Sequence, residues 1–190
     1  MGKFWSGAAA VGRFMVVFGL LMAPWPGGRE VIRSFFHSEL RWLATWVVPR
    51  MVVRVEVLQD AAHEGIDTQV SMADPRKIQP DGSVEVSGVN LDTRSVGWIP
   101  QVMLLALIAA TPMRWVERFR ASVIGLLLLN GVMLLTFAAA LAFAHKAGHP
   151  AWVHPVLSHI YEITIQNLWF SFLFPTVLWS LLCFEVKARK

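Results

Sequence analysis

Six histidines, one cysteine and one carboxylate set in an apolar run are the side chains from which chemistry could be built. His145, His149, His154 and His159 fall within 15 residues. His145 and His149 stand four apart, which on a helix aligns two imidazoles as in many metal sites. Gly148 and Pro150 would end such a helix, and His154 and His159 straddle Pro155. The loop itself carries no carboxylate, so a metal or haem site here competes with plain solvated histidines. Glu162 is the second candidate, because an ionisable group inside a membrane segment is a functional hypothesis by default. Tyr161, Gln166 and Asn167 lie near it, and Glu162 and Gln166 share a helix face. Together with Asn130 and Thr136 of the preceding apolar run, they form a predicted polar intramembrane cluster. Its simplest role is to hold helices together by hydrogen bonds of about 0.6–2 kcal/mol each. The lone Cys183 cannot form an intrachain disulfide. As a nucleophile it would need a base or cation beside it. A continuous helix would put it about 36 Å from His159 at 1.5 Å per residue. No nucleophile–base pair converges, so the chain reads as a non-enzyme, with a metal- or haem-dependent membrane enzyme using the histidines and Glu162 as the alternative.

The elements that must position these residues are mostly apolar. The chain has 190 residues, of which 55% are hydrophobic and only 16% charged. A soluble domain is nearer a quarter charged. Between Ala121 and Ala144 there is no Asp, Glu, Lys or Arg, a run longer than the ~20 residues that cross the hydrocarbon core as a helix. Ala8–Trp25, Val96–Pro112 and Val156–Phe184 are further apolar stretches, the last interrupted by Pro175. Ala8–Trp25 lacks a small-x-small cleavage site at its end and reads as an uncleaved anchor. Seven of the nine tryptophans sit near the ends of these runs, as in an aromatic belt.

Two other periodicities occupy the segment after the first apolar run. Across Arg29–Val48, Ile32, Phe36, Leu40, Leu43 and Val47 recur at spacings of three or four, with Phe35 and Trp46 broadening that face. Arg33, His37 and Arg41 form the opposite stripe. This predicts an amphipathic helix that lies in the headgroup plane or caps a β element, ended by Pro49. Then the period becomes two. Val53, Val55 and Val57 alternate with Arg54 and Glu56; Ile66, Thr68, Val70 and Met72 with Asp67, Gln69 and Ser71; Val84 and Val86 with Glu85. Turn chemistry at His63–Gly65 and Pro80–Ser83 joins them into a three-stranded antiparallel meander. Such a meander is too small to be stable alone. Arg54, Glu56, Asn90, Asp92 and Arg94 are its candidate partner-binding residues, because edge strands can accept a partner's strand.

The expected fold class is thus a membrane all-α protein with four transmembrane helices and a small extracytoplasmic α+β element. Residues 1–27 form the anchor, 28–95 the extracytoplasmic element, and 96–190 a three-helix membrane region with a basic turn at 113–120. Lys3, Arg13, Arg114, Arg118, Arg120, Lys187, Arg189 and Lys190 gather on one side, and Lys146 alone marks the other short loop. By the positive-inside rule both termini are predicted to be cytoplasmic. The net charge of +4 comes without a basic patch interleaved with aromatics, so nucleic acid is not an expected partner.

The run Arg94-Ser95-Val96-Gly97-Trp98-Ile99-Pro100, with Leu105-Ala106-Leu107 and Ala110-Thr111-Pro112 after it, resembles the second span of the exosortase H-associated membrane protein family. Phe174-Pro175-Thr176 and Leu178-Trp179 are similar to that family's last span. The resemblance implies a bacterial inner-membrane accessory protein encoded beside a membrane-embedded protein-sorting enzyme. It carries no catalytic residues. The expected partners are the lipid bilayer, an exosortase-like enzyme or an exported substrate, and a second copy of this chain.

Overall fold

The computed structural model describes residues 2–23, 28–58, 67–78, 83–144, 153–162 and 168–188. Six α-helices and three strands follow in order: α1 (Gly2–Met22), α2 (Gly28–Val47), β1 (Val52–Val57), β2 (Thr68–Ile78), β3 (Val84–Leu91), then a π-helical turn at Arg94–Trp98, and α3 (Ile99–Ala110), α4 (Trp115–Ala144), α5 (Val153–Tyr161) and α6 (Leu168–Ala188). The strands form one antiparallel sheet in the order β1-β2-β3. The ladder between β2 and β3 breaks after Ala73 and resumes at Ile78↔Val84. Pro75 falls in this gap, where a residue without an N–H does least harm to a ladder.

Two apolar clusters organise the chain. One joins α2 (Phe36, Leu40, Leu43, Ala44), the inner sheet face (Val55, Val70, Met72, Val89, Leu91) and the C-terminal part of α4 (Met133, Phe137, Ala140, Leu141, Ala144). The other joins α3, the N-terminal half of α4, and α6 through Leu104, Ile108, Ala121, Leu129, Leu178 and Leu182. In α3, Gln101 is the one strongly polar side chain, and a helix that is apolar all round must be enclosed. It is: α1, α4 and α6 all pack against it. Contacts of Gln101 with Asn130, Leu104 with Gly125, and Thr111 with Arg118 make α3 and α4 an antiparallel hairpin.

The expectation of four membrane-spanning helices is not met. Among the described residues only α4 is long and apolar enough to cross a membrane. Its 30 residues reach about 45 Å at 1.5 Å per residue. The apolar parts of the others, Gly7–Met22, Arg94–Ala110 and Phe170–Cys183, are shorter than a spanning helix. Of the predicted fourth span, Val156–Phe184, the described residues form α5 and α6, and residues 163–167 between them lie outside the described residues. The fold is mostly helical with a small antiparallel sheet, and one of its helices could cross a membrane.

The amphipathic helix and the meander were legible, with two differences. Phe35 and Trp46 do not widen the buried face; both are exposed. His37 does not face solvent; it is buried. At Gly97 in the π-helical turn, an added Cβ would fall on the Phe36 ring. Phe36 is itself enclosed, so the ring cannot swing away. At Gly125 the nearest atoms are the tips of Leu104 and Leu182, which can yield, and at Gly131 there is open space. Overpacking a rigid site costs about 1–3 kcal/mol, whereas Ala for an exposed helical Gly gains about 0.5–1 kcal/mol. Thermal unfolding in detergent is therefore expected to rank Gly97→Ala lowest, Gly125→Ala next and Gly131→Ala at or above the parent. A Gly97→Ala midpoint equal to that of the parent would contradict this packing.

Candidate functional site

The sheet has two unlike faces because register fixes which side chains share a side. Val55, Val70 and Val89 pair across the three strands and point to α2 and α4. The next row, Glu56↔Gln69↔Asn90, points the other way, as does Arg54↔Ser71. Arg54 and Glu56, two apart on one strand, form an ion pair on this face. Arg54 and Asn90 are exposed. The structure thus gathers three of the predicted partner-binding residues, Arg54, Glu56 and Asn90, at the polar end of this face, whose other end is the row Val52↔Ala73↔Val86 with both valines exposed. Asp92 and Arg94 have a different task. The Arg94 N–H donates to Asp92 Oδ1 at 3.0 Å and starts the π-helical turn.

Behind this face lies a polar hub that sequence reasoning missed. Asp67 precedes β2. Its Oδ1 accepts the Thr68 hydroxyl and the Thr93 N–H, each at 3.0 Å, and its Oδ2 accepts the Thr93 hydroxyl at 2.6 Å. Its backbone N–H reaches the Leu91 carbonyl at 3.3 Å, and its carbonyl takes the Leu58 N–H at 3.1 Å. Arg33 Nε lies 4.0 Å from Oδ2, an ion pair without a hydrogen bond. His37 Nε2 meets Thr68 Oγ1 at 2.9 Å. Because Thr68 gives its only proton to Asp67, His37 must donate here, which sets the Nε2–H tautomer. Asp67 therefore connects α2, all three strands at one end of the sheet and the entry to α3. Thr68 is fully buried and Asp67 partly so, and the His37–Thr68–Asp67 arrangement acts as a clamp. A sequence signal existed: Thr68 stands in phase with the inward-facing Val70 and Met72.

The other predicted sites do not assemble as one. Asn130 accepts a hydrogen bond from Gln101 Nε2 at 3.0 Å, within the α3–α4 hairpin. Glu162, at the end of α5, is exposed, accepting the Ser158 hydroxyl at 3.3 Å with His159 Nδ1 4.0 Å away. Gln166 and Asn167 lie outside the described residues, as do His145, His149 and His63; the side chains of Tyr161 and His154 are likewise not described. Among the described residues no three His, Cys, Asp or Glu side chains are placed to hold a metal ion. Cys183 is half-buried in α6. At the far end of the hairpin, Trp179 Nε1 donates to Thr111 Oγ1 at 2.8 Å and Arg118 Nη2 to the Thr111 carbonyl at 3.0 Å, tying α6 to the α3–α4 turn.

These features define a class, a small sheet with one open polar face mounted on a helical bundle. Comparison of the chain with family models, with curated proteins and with solved structures finds no match.

Burial pushes the His37 pKa below its ordinary 6.5; Asp67 opposes this, while Arg33 and Arg41 add to it. Burial pushes Glu39 up. A histidine with a lowered folded pKa favours folding while neutral. Its contribution is complete above pH 6.5 and is eroded as pH falls from there towards the lower folded value. The unfolding midpoint of the parent is expected to fall below pH 6.5 more steeply than that of His37→Gln, whose amide can still donate to Thr68 but does not titrate. Equal slopes for the two proteins would show that His37 is not linked to folding.

Proposed function

We propose that this chain is a non-enzymatic accessory subunit of a bacterial inner membrane, which holds the polar face of its sheet out to a membrane protein or an exported substrate. The observation that carries this reading is the contrast between the two sheet faces. One face is sealed against α2 and α4, and the other presents Arg54, Glu56, Gln69, Ser71 and Asn90 beside the exposed Val52 and Val86, with β1 and β3 as its edges. A charged and amide-bearing surface on a rigid mount suits recognition of an extended chain or a partner sheet. The clamp at Asp67 supports the same reading, since it fixes the sheet on its mount.

The similarity of Arg94–Pro100 and Phe174–Trp179 to the exosortase-associated family suggests the partner: a membrane-embedded sorting enzyme of the exosortase type, or the protein it handles. In this reading the sheet stands on the extracytoplasmic side and α4 crosses the bilayer. Photo-crosslinking residues placed at Gln69 or Asn90 in native membranes are expected to capture one discrete protein partner, and Arg54→Ala with Glu56→Ala is expected to weaken that capture several-fold. Crosslinks to lipid alone, or capture unaffected by the double substitution, would argue against a recognition face here.

A further inference from the structure

Helix α2 has a second apolar face. Its first face, around Phe36 and Leu40, is consumed by the sheet and α4. Val31, Phe35, Trp42 and Trp46 point elsewhere, and they are 69%, 48%, 57% and 71% exposed. At 100° per residue these four fall within an arc of about 60°, so they form one continuous stripe along the helix. Trp42 and Trp46 meet edge to face with ring centroids 6.3 Å apart. The polar, exposed side of the helix is a separate arc bearing Ser34, Ser38, Arg41 and Thr45. No described element of the chain packs on the stripe.

The depth of α2 says what covers it. Helix α2 packs on α4 between Met133 and Ala144, the C-terminal part of the one helix among the described residues able to cross a membrane. Some 12 residues at 1.5 Å each put this contact within about 18 Å of the end of that helix. A crossing α4 therefore carries α2 to the level where hydrocarbon gives way to headgroups. Tryptophan is enriched at that level, and a helix with one apolar arc and one polar arc lies in that plane. Arg41 on the polar arc and Arg50 past the end of the helix are exposed and can reach phosphate oxygens. Between the stripe and the buried face stands Glu39, whose Oε2 has no hydrogen-bond partner.

We infer that the Val31–Phe35–Trp42–Trp46 face of α2 is a lipid-docking surface, embedded in the headgroup–acyl boundary at the C-terminal end of α4. The bilayer surface then becomes a third wall of the mount, and it sets the height and tilt of the sheet. This inference rests on α4 crossing the bilayer, and the test separates the two.

In a Cys183→Ser background, single cysteines replace Trp42, Trp46, Ser34 or Leu127 and carry an environment-sensitive fluorophore. The full chain is reconstituted in phosphatidylcholine vesicles containing nitroxide lipids. Labels at 42 and 46 are expected to emit at shorter wavelength than the label at 34. Shallow nitroxides should quench them several-fold more strongly than they quench 34, with aqueous iodide showing the reverse order. The label at 127, on the exposed face of α4, should respond to nitroxides near the bilayer centre. If 42 and 46 are as open to iodide as 34 while 127 is quenched deeply, the docking surface is overturned and α4 still crosses. If 42 and 46 are shielded from iodide but untouched by any nitroxide, a protein covers the stripe and the lipid assignment is wrong. If 127 responds to no nitroxide, both claims fall.

Discussion

Everything in this fold depends on α2 being held between the sheet and α4. A three-stranded sheet of short strands buries too little surface to stand alone. Here its inner face meets Phe36, Leu40, Leu43 and Ala44 of α2 and the Met133–Ala144 part of α4 in one core. The ring of Phe36 over Gly97 fixes how closely α2 approaches the turn that leads into α3. Burial drives this association at roughly 25 cal/mol per Å² of apolar surface, but burial is not directional and would tolerate a slipped sheet.

Direction comes from Asp67. Three hydrogen bonds to one carboxylate, plus its two backbone bonds, join the start of β2 to the end of β3 and to Thr93 at the mouth of the π-helical turn. His37 adds the tie to α2. Polar groups this deep are costly unless all are satisfied, so a one-residue slip of β2 would strand Thr68 and His37 together. The clamp therefore enforces the register that sends valines inward and Arg54, Glu56 and Asn90 outward. At the opposite end of the bundle, Trp179, Thr111 and Arg118 fasten α6 to the hairpin in a similar manner. The two ends are joined by α4, which takes part in both apolar clusters.

Local periodicity was easy to read in the sequence. The spacing of Ile32 through Val47 and the alternation at Val53–Val57 and Ile66–Met72 predicted α2 and the meander, though β2 runs on to Ile78, because a half-buried element writes its period into its own residues. Spans were harder. Apolar runs such as Val96–Pro112 carry the same composition whether they face lipid or, like α3, are enclosed by other helices of the chain. The site was legible only on its surface side: alternation placed Arg54 and Glu56 on one face, but register was needed to bring Asn90 to them. Asp67, Thr68, Thr93 and His37 are ordinary residues scattered over 57 positions. Nothing local marks them, because they meet through tertiary contacts.

The central claim is that the sheet and the C-terminal part of α4 belong to a single cooperative unit through α2. Amide hydrogen exchange of the full chain in lipid nanodiscs, parent against Phe36→Ala, tests it most directly. Emptying that position is expected to cost about 3–5 kcal/mol. The account predicts that amides of β1, β2, β3 and residues 133–144 lose protection together, while those of α3 near Leu104 and Ile108 keep theirs. Protection lost in α2 alone, with the strands and α4 unchanged, would contradict it.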